Sequence, residues 1–479
     1  MSQIRIQFNS VFCSFPDGVP EDVDEMLYDK FRYHPEGYFF STKYQMGQWD
    51  GYNRLYYHTT KRFRTGLLSH VTETITEMGY EVSVDGFPES TTYQRRGDNY
   101  TLRDYQVAGV ESMLKYRYGV VQAPVRSGKT QMFIGAIDSE RSFPAIFLCR
   151  SLDLAYQTVD RMKTFLPEVS VGIIGDGKVD IQDVTIVTVQ SAFSAYDKKY
   201  SERNLYKESA VGNKFVVREL LRKAKTVFFD EVHHVGSKTA KFVLDKCQSA
   251  TLRIGLSATP FSGKEEDILV EEAIGPIIHK VSYSELIRAG MILRPYIYMY
   301  KLPRMAVHGN YQSIYRQAVV DNEFLMGLVK RLVDKLTSAG KSVVVQTEFV
   351  KHSFVLGKYL GAAVLTGKEK AEYRKRVLDK MRSKDILCLV STVVEEGIDL
   401  ASLDYTINLV GGKSDIGTMQ RMRSMTASEG KTTCGIIDFF FDCKYMKDHS
   451  KLRKKCYQSE PEFKFFERDV SAKSLEEIN

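Results

Sequence analysis

A strand, a loop and a helix follow one another between Tyr118 and Ile137, and this succession constrains the fold more than any other feature of the chain. The apolar run Tyr118–Gln122 leads into the loop Ala123–Thr130, which ends in Gly-Lys-Thr, and a helix-like segment begins at Gln131. The backbone N–H groups of such a loop and the positive end of the helix dipole together hold phosphate groups. The sequence therefore predicts a phosphate-binding loop at this place.

A second segment supplies the acidic partner that a phosphate-binding loop needs. Lys129 is predicted to reach the β- and γ-phosphates of a nucleotide, and the Thr130 hydroxyl to ligate Mg²⁺. About 100 residues further on, an apolar strand ends in Asp230 and Glu231. Asp230 is expected to hold Mg²⁺ through water, and Glu231 to orient and deprotonate the attacking water. The other loop residues expected to contact the nucleotide are Ala123, which replaces the usual glycine, Pro124, Val125, Arg126, Ser127 and Gly128.

The order of apolar runs along the 479 residues predicts three folded regions and a tail. Near-continuous apolar runs alternate with helical stretches from Leu102, and a second such cycle begins near Leu293, as in parallel α/β sheets covered on both faces. The expected fold class is α/β, with two tandem parallel-sheet domains and a small α+β N-terminal domain. Because only the first cycle carries a phosphate loop, the nucleotide is expected in a cleft between the two sheets. The predicted bounds are 1–95 for the small domain, 100–285 and 290–443 for the two α/β domains, and 444–479 for a basic, polar tail.

Composition excludes several other classes of protein. Hydrophobic residues make up 43% and charged residues 27%, as in globular chains, and the net charge of +7 only weakly favours a polyanionic partner. The seven cysteines contain no C-x-x-C spacing, which predicts reduced thiols and argues against a disulfide framework or a zinc site. No apolar run approaches the ~20 residues that cross a bilayer. These observations predict a cytoplasmic protein that does not bind a membrane.

At the level of motifs, the chain resembles the superfamily 2 helicases over most of residues 100–440. The order and spacing of the motifs are more specific than any single one. The matching segments are Leu102–Gln106 for adenine recognition, Ala123–Thr130 for motif I, Leu148–Gln157 for motif Ia, Thr188–Ser191 for a DNA-contacting motif, Asp230–His233 for a DExH box, Ser257–Pro260 for motif III and Ser391–Asp399 for motif V. The resemblance implies two RecA-like domains that use ATP and Mg²⁺.

The same resemblance implies further residue roles. Residues expected to bind the nucleotide, in addition to the loop, are Arg103, Gln106, which reads the base, Gly397 and Asp399. Residues expected to couple the ATP state to domain movement are His233, Ser257 and Thr259. Residues expected to contact DNA are Arg150, Gln190, Ser191 and Thr392.

Motif VI departs from the pattern of the family. The family usually carries Q-x-x-G-R-x-x-R, whose arginines stabilise charge on the γ-phosphate and can be worth ~10³-fold or more in rate. Here the segment begins Gln420-Arg421-Met-Arg423, without the glycine. Arg423 is the expected arginine finger, with Arg421 as the alternative, and the altered spacing puts the rate of hydrolysis in doubt more than its existence.

The N-terminal region is similar to that of the phage UvsW-type helicases, on the strength of the segment Gly37–Gly51. That resemblance implies a phage-encoded helicase that unwinds or branch-migrates forked or branched DNA in recombination, replication or repair. The protein is expected to be a monomer. Lys61, Arg62 and Arg64, in a predicted hairpin turn, are the expected DNA contacts of this region because cations meet phosphates.

Other functions remain open on the sequence. One is a double-stranded DNA translocase that does not separate strands. Another is a nucleotide-gated DNA-binding module with weak ATPase activity, which the altered motif VI would explain. An RNA helicase is disfavoured because the DExH box and motif VI differ from the DEAD-type pattern.

Overall fold

The computed structural model describes residues 3–196, 208–261, 263–367, 369, 371–392, 402–411, 425, 431–432 and 434–470. The chain divides into two compact units at the boundary between Lys280 and Val281, and the four residues Pro124–Ser127 are grouped with the second unit. The predicted fold class is confirmed, with a small α+β domain followed by two RecA-like domains that contain parallel sheets. No helix in the described part of the chain combines the length and apolarity needed to cross a bilayer.

The N-terminal domain is built on a small mixed sheet with the strand order β5-β6-β2-β1-β7 and a separate β3-β4 pair. The strands are β1 (Gln3–Gln7), β2 (Phe12–Ser14), β3 (Arg32–Tyr33), β4 (Asn53–Arg54), β5 (Tyr56–Tyr57), β6 (Arg62–Arg64) and β7 (Glu81–Asp85). The helices are α1 (Glu21–Lys30), α2 (Thr42–Gln45) and α3 (Leu68–Glu77). Apolar side chains of α1 and α3, among them Leu27 and Ile75, pack on one face of this sheet in a common core.

The segment 37–42, Gly-Tyr-Phe-Phe-Ser-Thr, has the apolar composition of a strand but does not form one. The segment 37–42 folds instead into the 3₁₀ turn Tyr38–Phe40, which leads into α2. A half-buried strand needs alternate residues inside and outside. Phe39 and Phe40 are both exposed, so the segment offers no buried face to pair with the sheet.

The N-terminal domain packs directly against the first helicase domain within the first unit. The guanidinium of Arg64 binds Asp245, with one N–O distance of 2.9 Å, and its Nε lies 3.0 Å from the Glu272 carboxylate. Gly66 lies so close to the helix that carries Glu271 that an added Cβ would be 2.0 Å from the Glu271 carbonyl oxygen. Only a glycine permits this approach. The buried ion pairs and the close contact fix the small domain on its neighbour.

The first helicase domain is a sheet with the strand order β11-β10-β12-β9-β13-β14-β8-β15, in which only β11 is antiparallel to its neighbour. Its strands are β8 (Tyr118–Gln122), β9 (Ala145–Cys149), β10 (Val171–Gly175), β11 (Lys178–Val179), β12 (Val184–Thr188), β13 (Thr226–Asp230), β14 (Leu252–Ser257) and β15 (Ile277–Lys280). Its helices are α4 (Asp104–Tyr116), α5 (Lys129–Glu140), α6 (Leu152–Phe165), α7 (Val189–Ser194), α8 (Glu208–Lys223), α9 (Lys238–Leu244) and α10 (Ile268–Ile274). The central strands are buried along their whole length, as their continuous apolar sequences predict.

The second helicase domain is an all-parallel sheet with the strand order β18-β19-β17-β20-β21-β16-β22. Its strands are β16 (Pro295–Lys301), β17 (Val343–Gln346), β18 (Ala363–Leu365), β19 (Cys388–Ser391), β20 (Tyr405–Asn408), β21 (Cys434–Phe440) and β22 (Lys464–Asp469). Its helices are α11 (Tyr283–Arg288), α12 (Tyr311–Tyr315), which continues into the π-helical turn Arg316–Val320, α13 (Glu323–Ser338), α14 (Val350–Leu360), α15 (Ala371–Arg382) and α16 (Met446–Gln458).

The prediction that 444–479 is a polar tail is wrong for residues 444–470. β22 pairs in parallel with β16 at the edge of the sheet, and α16 packs on β21. The buried guanidinium of Arg453 donates to both carboxylate oxygens of Asp438, at 2.8 and 3.1 Å, and the Tyr457 hydroxyl donates to the same carboxylate at 2.8 Å. A carboxylate buried in β21 needs these donors, so α16 is an integral part of the second domain.

We predict that Arg453→Ala destabilises the second domain by about 3–5 kcal/mol, because it leaves the Asp438 carboxylate buried without its cation. Chemical denaturation followed by circular dichroism measures the change. Lys451→Ala is the matched control, since Lys451 lies on the same helix with an exposed side chain. Equal stability of the two variants would contradict the structural role given to α16.

Candidate functional site

Three neighbouring strands of the first helicase domain bring the predicted catalytic segments together. β14 lies between β8 and β13, and all three run parallel. Ser257 at the end of β14 is in register with Gln122, after which the phosphate loop begins, and Leu256 is in register with Asp230. The carboxyl ends of parallel strands share one edge of the sheet, so the loop, the acidic pair and motif III meet there.

Lys129 lies between the loop backbone and the acidic pair. Its ammonium donates to the Ala123 carbonyl at 3.3 Å and lies 3.9 Å from Oε1 of Glu231. Both contacts are weak in geometry, and the lysine side chain is mostly buried. The ammonium of Lys129 is therefore available to pair with an anionic phosphate in place of the Glu231 carboxylate.

Ser257 connects the acidic pair to motif III. Its hydroxyl donates to Oε2 of Glu231 at 3.3 Å and lies 3.1 Å from Nδ1 of His233. The same oxygen accepts the backbone N–H of Thr259 at 3.2 Å. Glu231 itself has a left-handed backbone (φ +52°), which is uncommon for a residue with a side chain and is often seen at functional sites. These contacts give the three predicted coupling residues a direct path to the proposed base.

One of the predicted adenine-recognition residues, Gln106, packs against the phosphate loop. Gln106 is almost fully buried in α4, and its Oε1 accepts the backbone N–H of Arg103 at 3.0 Å. Gly128 caps α5 with a left-handed backbone (φ +82°), and an added Cβ there would lie 2.2 Å from Nε2 of Gln106. The amide of Gln106 thus fixes the glycine from one side.

The residues predicted to hold Mg²⁺ offer the hard oxygen ligands that this ion prefers. Thr130 lies in the first turn of α5, and Asp230 ends β13 with only 9% of its surface exposed. The hydroxyl of Thr130 accepts a hydrogen bond from Arg161 at 3.3 Å, a contact that the sequence motifs do not reveal. Behind Asp230, burial raises the pKa of the Cys149 thiol to about 12, so this side chain stays neutral beside the site.

The residues predicted to contact DNA from the motifs lie at strand ends. In the first unit, Arg150 follows β9, and its guanidinium lies 2.6 Å from Nε2 of His234. Gln190 and Ser191 lie in the first turn of α7, where the Thr188 side chain caps the helix by accepting the Ser191 N–H at 3.3 Å. In the second unit, Thr392 follows β19 and donates its N–H to Leu365 at 3.2 Å. Their role in DNA binding stays a prediction.

The basic residues predicted in the N-terminal domain have different environments. Arg64 is buried in the ion pairs with Asp245 and Glu272, so its predicted contact with DNA is wrong. Lys61 donates to the buried carboxylate of Asp24 at 2.6 Å. Arg62 is exposed, and its guanidinium lies over two aromatic rings. Of the three, Arg62 is the one that presents its charge to solvent.

Several predicted residues lie outside the described part of the chain. They are Gly397 and Asp399 of motif V, and Gln420, Arg421 and Arg423 of motif VI. Their roles stay predictions.

Three family profiles match the chain, one after another. The profile of the N-terminal domain of DNA helicase UvsW matches residues 4–85, that of the type III restriction enzyme res subunit matches residues 99–262, and that of the helicase conserved C-terminal domain matches residues 325–423. The chain is a superfamily 2 helicase of UvsW type. It is therefore an enzyme, a DNA-dependent ATPase of the helicase class, and its use of ATP follows from the helicase domains.

Curated relatives resemble this helicase at low identity. It is 23% identical to DNA 3′-5′ translocase XPB2 of Sulfurisphaera tokodaii, over 70% of this chain and 80% of the relative. It is 26% identical to putative DNA 3′-5′ helicase Rad25 of Haloarcula marismortui, over 74% of this chain and 55% of the relative. The third, putative helicase 22 of a Sulfolobus islandicus filamentous virus, is 24% identical over 72% of this chain and 65% of the relative. The helicase thus spans between about half and four fifths of these relatives.

Two solved structures, those of LlaBIII and Dbp5, share the fold of the helicase. The type ISP restriction-modification enzyme LlaBIII bound to DNA has a TM-score of 0.55 at 14% identity, over 79% of this chain and 32% of that one. Dbp5 of S. cerevisiae bound to RNA and ADP BeF3 has a TM-score of 0.52 at 15% identity, over 86% and 95%. The structure of UvsW from phage T4 has a TM-score of 0.47 at 17% identity, over 98% and 99%.

We predict that Gly128→Ala weakens the binding of ATP, because its Cβ displaces the Gln106 amide beside the phosphate loop. Gly177→Ala is the matched control, since Gly177 has a similar left-handed backbone (φ +74°) but nothing within 4 Å of an added Cβ. Both variants should lose roughly 1–2 kcal/mol from backbone strain. Titration with a fluorescent ATP analogue should show weaker binding only for Gly128→Ala, and equal affinities would contradict the packing role of Gln106.

Proposed function

We propose that this helicase uses ATP hydrolysis in its first helicase domain to remodel branched DNA, such as forks and four-way junctions. The observation that carries the proposal is the joining of a UvsW-type N-terminal domain to the domain that bears the phosphate loop. The two are held together by the Arg64 ion pairs and by the close approach at Gly66. An N-terminal domain fixed in this way adds a second surface for DNA to the motor.

The contacts at the strand ends support a division of labour in hydrolysis. Lys129 would bind the β- and γ-phosphates, and Glu231 would take a proton from the attacking water. Thr130 and Asp230 would hold Mg²⁺, which neutralises charge on the phosphates when bound. Loss of the γ-phosphate would change the partners of Glu231, and Ser257 would pass that change to Thr259 in motif III.

We predict that Lys129→Ala and Glu231→Gln both lower DNA-stimulated phosphate release by roughly 100-fold or more. The two variants should differ in binding. Lys129→Ala loses affinity for ATP because it removes the phosphate contact, whereas Glu231→Gln keeps the shape of the site and retains ATP. Lys163→Ala, an exposed lysine on α6, is the control for loss of a positive charge. Normal hydrolysis in both site variants would overturn the assignment of the site.

A second candidate function is translocation on duplex DNA without strand separation. The relative named DNA 3′-5′ translocase XPB2, which matches over 70% of this chain, favours it. A nucleotide-gated module without hydrolysis has less support, because the chain belongs to an enzyme family and the proposed base, lysine and coupling serine lie together.

One comparison of substrates distinguishes the two motors. Forks, three-way and four-way junctions, and tailed duplexes with 5′ or 3′ overhangs are incubated with ATP, and the products are separated by electrophoresis. We expect junctions to be migrated and forks to be converted faster than tailed duplexes. Duplex-stimulated ATPase activity with no product from any branched substrate would favour the simple translocase. The phage origin, cytoplasmic location and monomeric state stay predictions.

A further inference from the structure

Four large apolar side chains are exposed together on a short segment of the N-terminal domain, and we call this segment the aromatic tip. It comprises the 3₁₀ turn Tyr38–Phe40 and the following residues through Met46. The exposed fractions are 52% for Phe39, 75% for Phe40, 37% for Tyr44 and 67% for Met46. The rings of Phe39 and Phe40 have centroids 4.3 Å apart. A cluster of exposed aromatic rings marks a binding surface more often than isolated apolar residues do.

One ring of the aromatic tip, that of Tyr38, connects it to a cluster of rings outside the tip. Tyr38 stacks on His34 with centroids 4.2 Å apart, and it contacts Tyr44 in an edge-on arrangement with centroids 5.0 Å apart. His34 also packs against Tyr52 at 3.8 Å, and the Trp49 indole donates to the Tyr52 carbonyl at 2.8 Å. The exposed phenylalanines are therefore held on a cluster of packed rings, which lowers the entropic cost of binding.

Two carboxylates of the first helicase domain bind the backbone of His34 and Glu36, next to the aromatic tip. Glu265 accepts the backbone N–H of His34 at 2.8 Å, and Glu266 accepts the backbone N–H of Glu36 at 2.7 Å. Both glutamates lie in the 3₁₀ turn that follows motif III in the chain. The residues that precede the aromatic tip are therefore bound to the turn Glu265–Asp267, which follows Ser257 and Thr259 of motif III in the chain.

The chemistry of the aromatic tip matches nucleic acid with unpaired bases. The segment Gly37–Trp49 contains Lys43 and no acidic residue. Lys43 is exposed, and among the described residues it has no acidic partner within ion-pair distance. Rings that stack on bases, beside a cation that meets the backbone, are the elements with which proteins bind single-stranded DNA.

We propose that the aromatic tip is a binding site for unpaired bases at the branch point of DNA, with Phe39 and Phe40 stacking on them and Lys43 contacting the adjacent phosphate. This inference rests on the proposed function and names the part of the chain that recognises the branch. Glu265 and Glu266 are positioning residues, because they bind the backbone of the residues that precede the aromatic tip.

The test uses the full chain and a fork that carries 2-aminopurine at the branch point, whose fluorescence changes when a ring stacks on it. Phe39→Ala/Phe40→Ala should lower the affinity for this fork by about tenfold or more and remove the fluorescence change. Phe39→Tyr/Phe40→Tyr, which keeps the rings, should retain both. Phe39→Leu/Phe40→Leu keeps apolar volume without a ring, so it should lose fork affinity and the fluorescence change as the alanine variant does. ATPase activity stimulated by linear duplex should stay within about twofold of the wild-type chain in all variants.

Several outcomes would overturn the proposal. Fork affinity and 2-aminopurine signal that survive Phe39→Ala/Phe40→Ala would show that the tip meets another partner, such as a protein. If Phe39→Ala/Phe40→Ala lost equal affinity for linear duplex and for the fork, the tip would contribute to DNA binding in general and not to recognition of the branch point. The binding measurements need no nucleotide, so they separate this inference from the proposed function. A wild-type chain that shows the fork-specific signal but migrates no junction would overturn only the proposed function.

Discussion

The parallel pairing of β14 with β8 on one side and β13 on the other is the constraint on which the site depends. Each of the three strands ends in, or directly before, a different motif, and their common direction brings those ends together. A slip of one residue in the register of β14 would turn Ser257 to the opposite face of the sheet. The buried apolar residues along all three strands prevent such a slip, so packing in the core determines the geometry at the edge.

Charged residues in this chain are used inside the fold as well as at the surface. Arg64 is buried between acidic residues of the first helicase domain, and Arg453 is buried against Asp438 in the second. Such pairs contribute little net stability when compared with apolar substitutes, but removing one partner is costly. Each pair therefore ties together the two surfaces that carry its partners. The total of 67 Lys and Arg residues therefore overstates the number of cations available to DNA.

Much of the fold and the centre of the site could be predicted from the sequence. The loop around Lys129, the acidic pair and the segment at Ser257 are local patterns, and each specifies its own strand end. The residues that were missed or misjudged depend on partners far away in the chain. Arg64 follows an ordinary basic run, and only the position of Asp245 decides that it is buried. The turn at Phe39 has the apolar composition of a strand, but it lacks a neighbour that could cover it.

The position of β16 has a consequence for how the second domain is made. β16 is among the first elements of that domain in sequence, yet both strands that flank it, β21 and β22, come from the other end of the domain. Contacts between such distant segments form slowly because a long loop must close first. Until then the apolar residues Ile297 and Met299 lack their cover, and the strand can pair with other chains. We therefore expect chaperones that cover β16 during synthesis to reduce aggregation of the chain until β21 and β22 have been made.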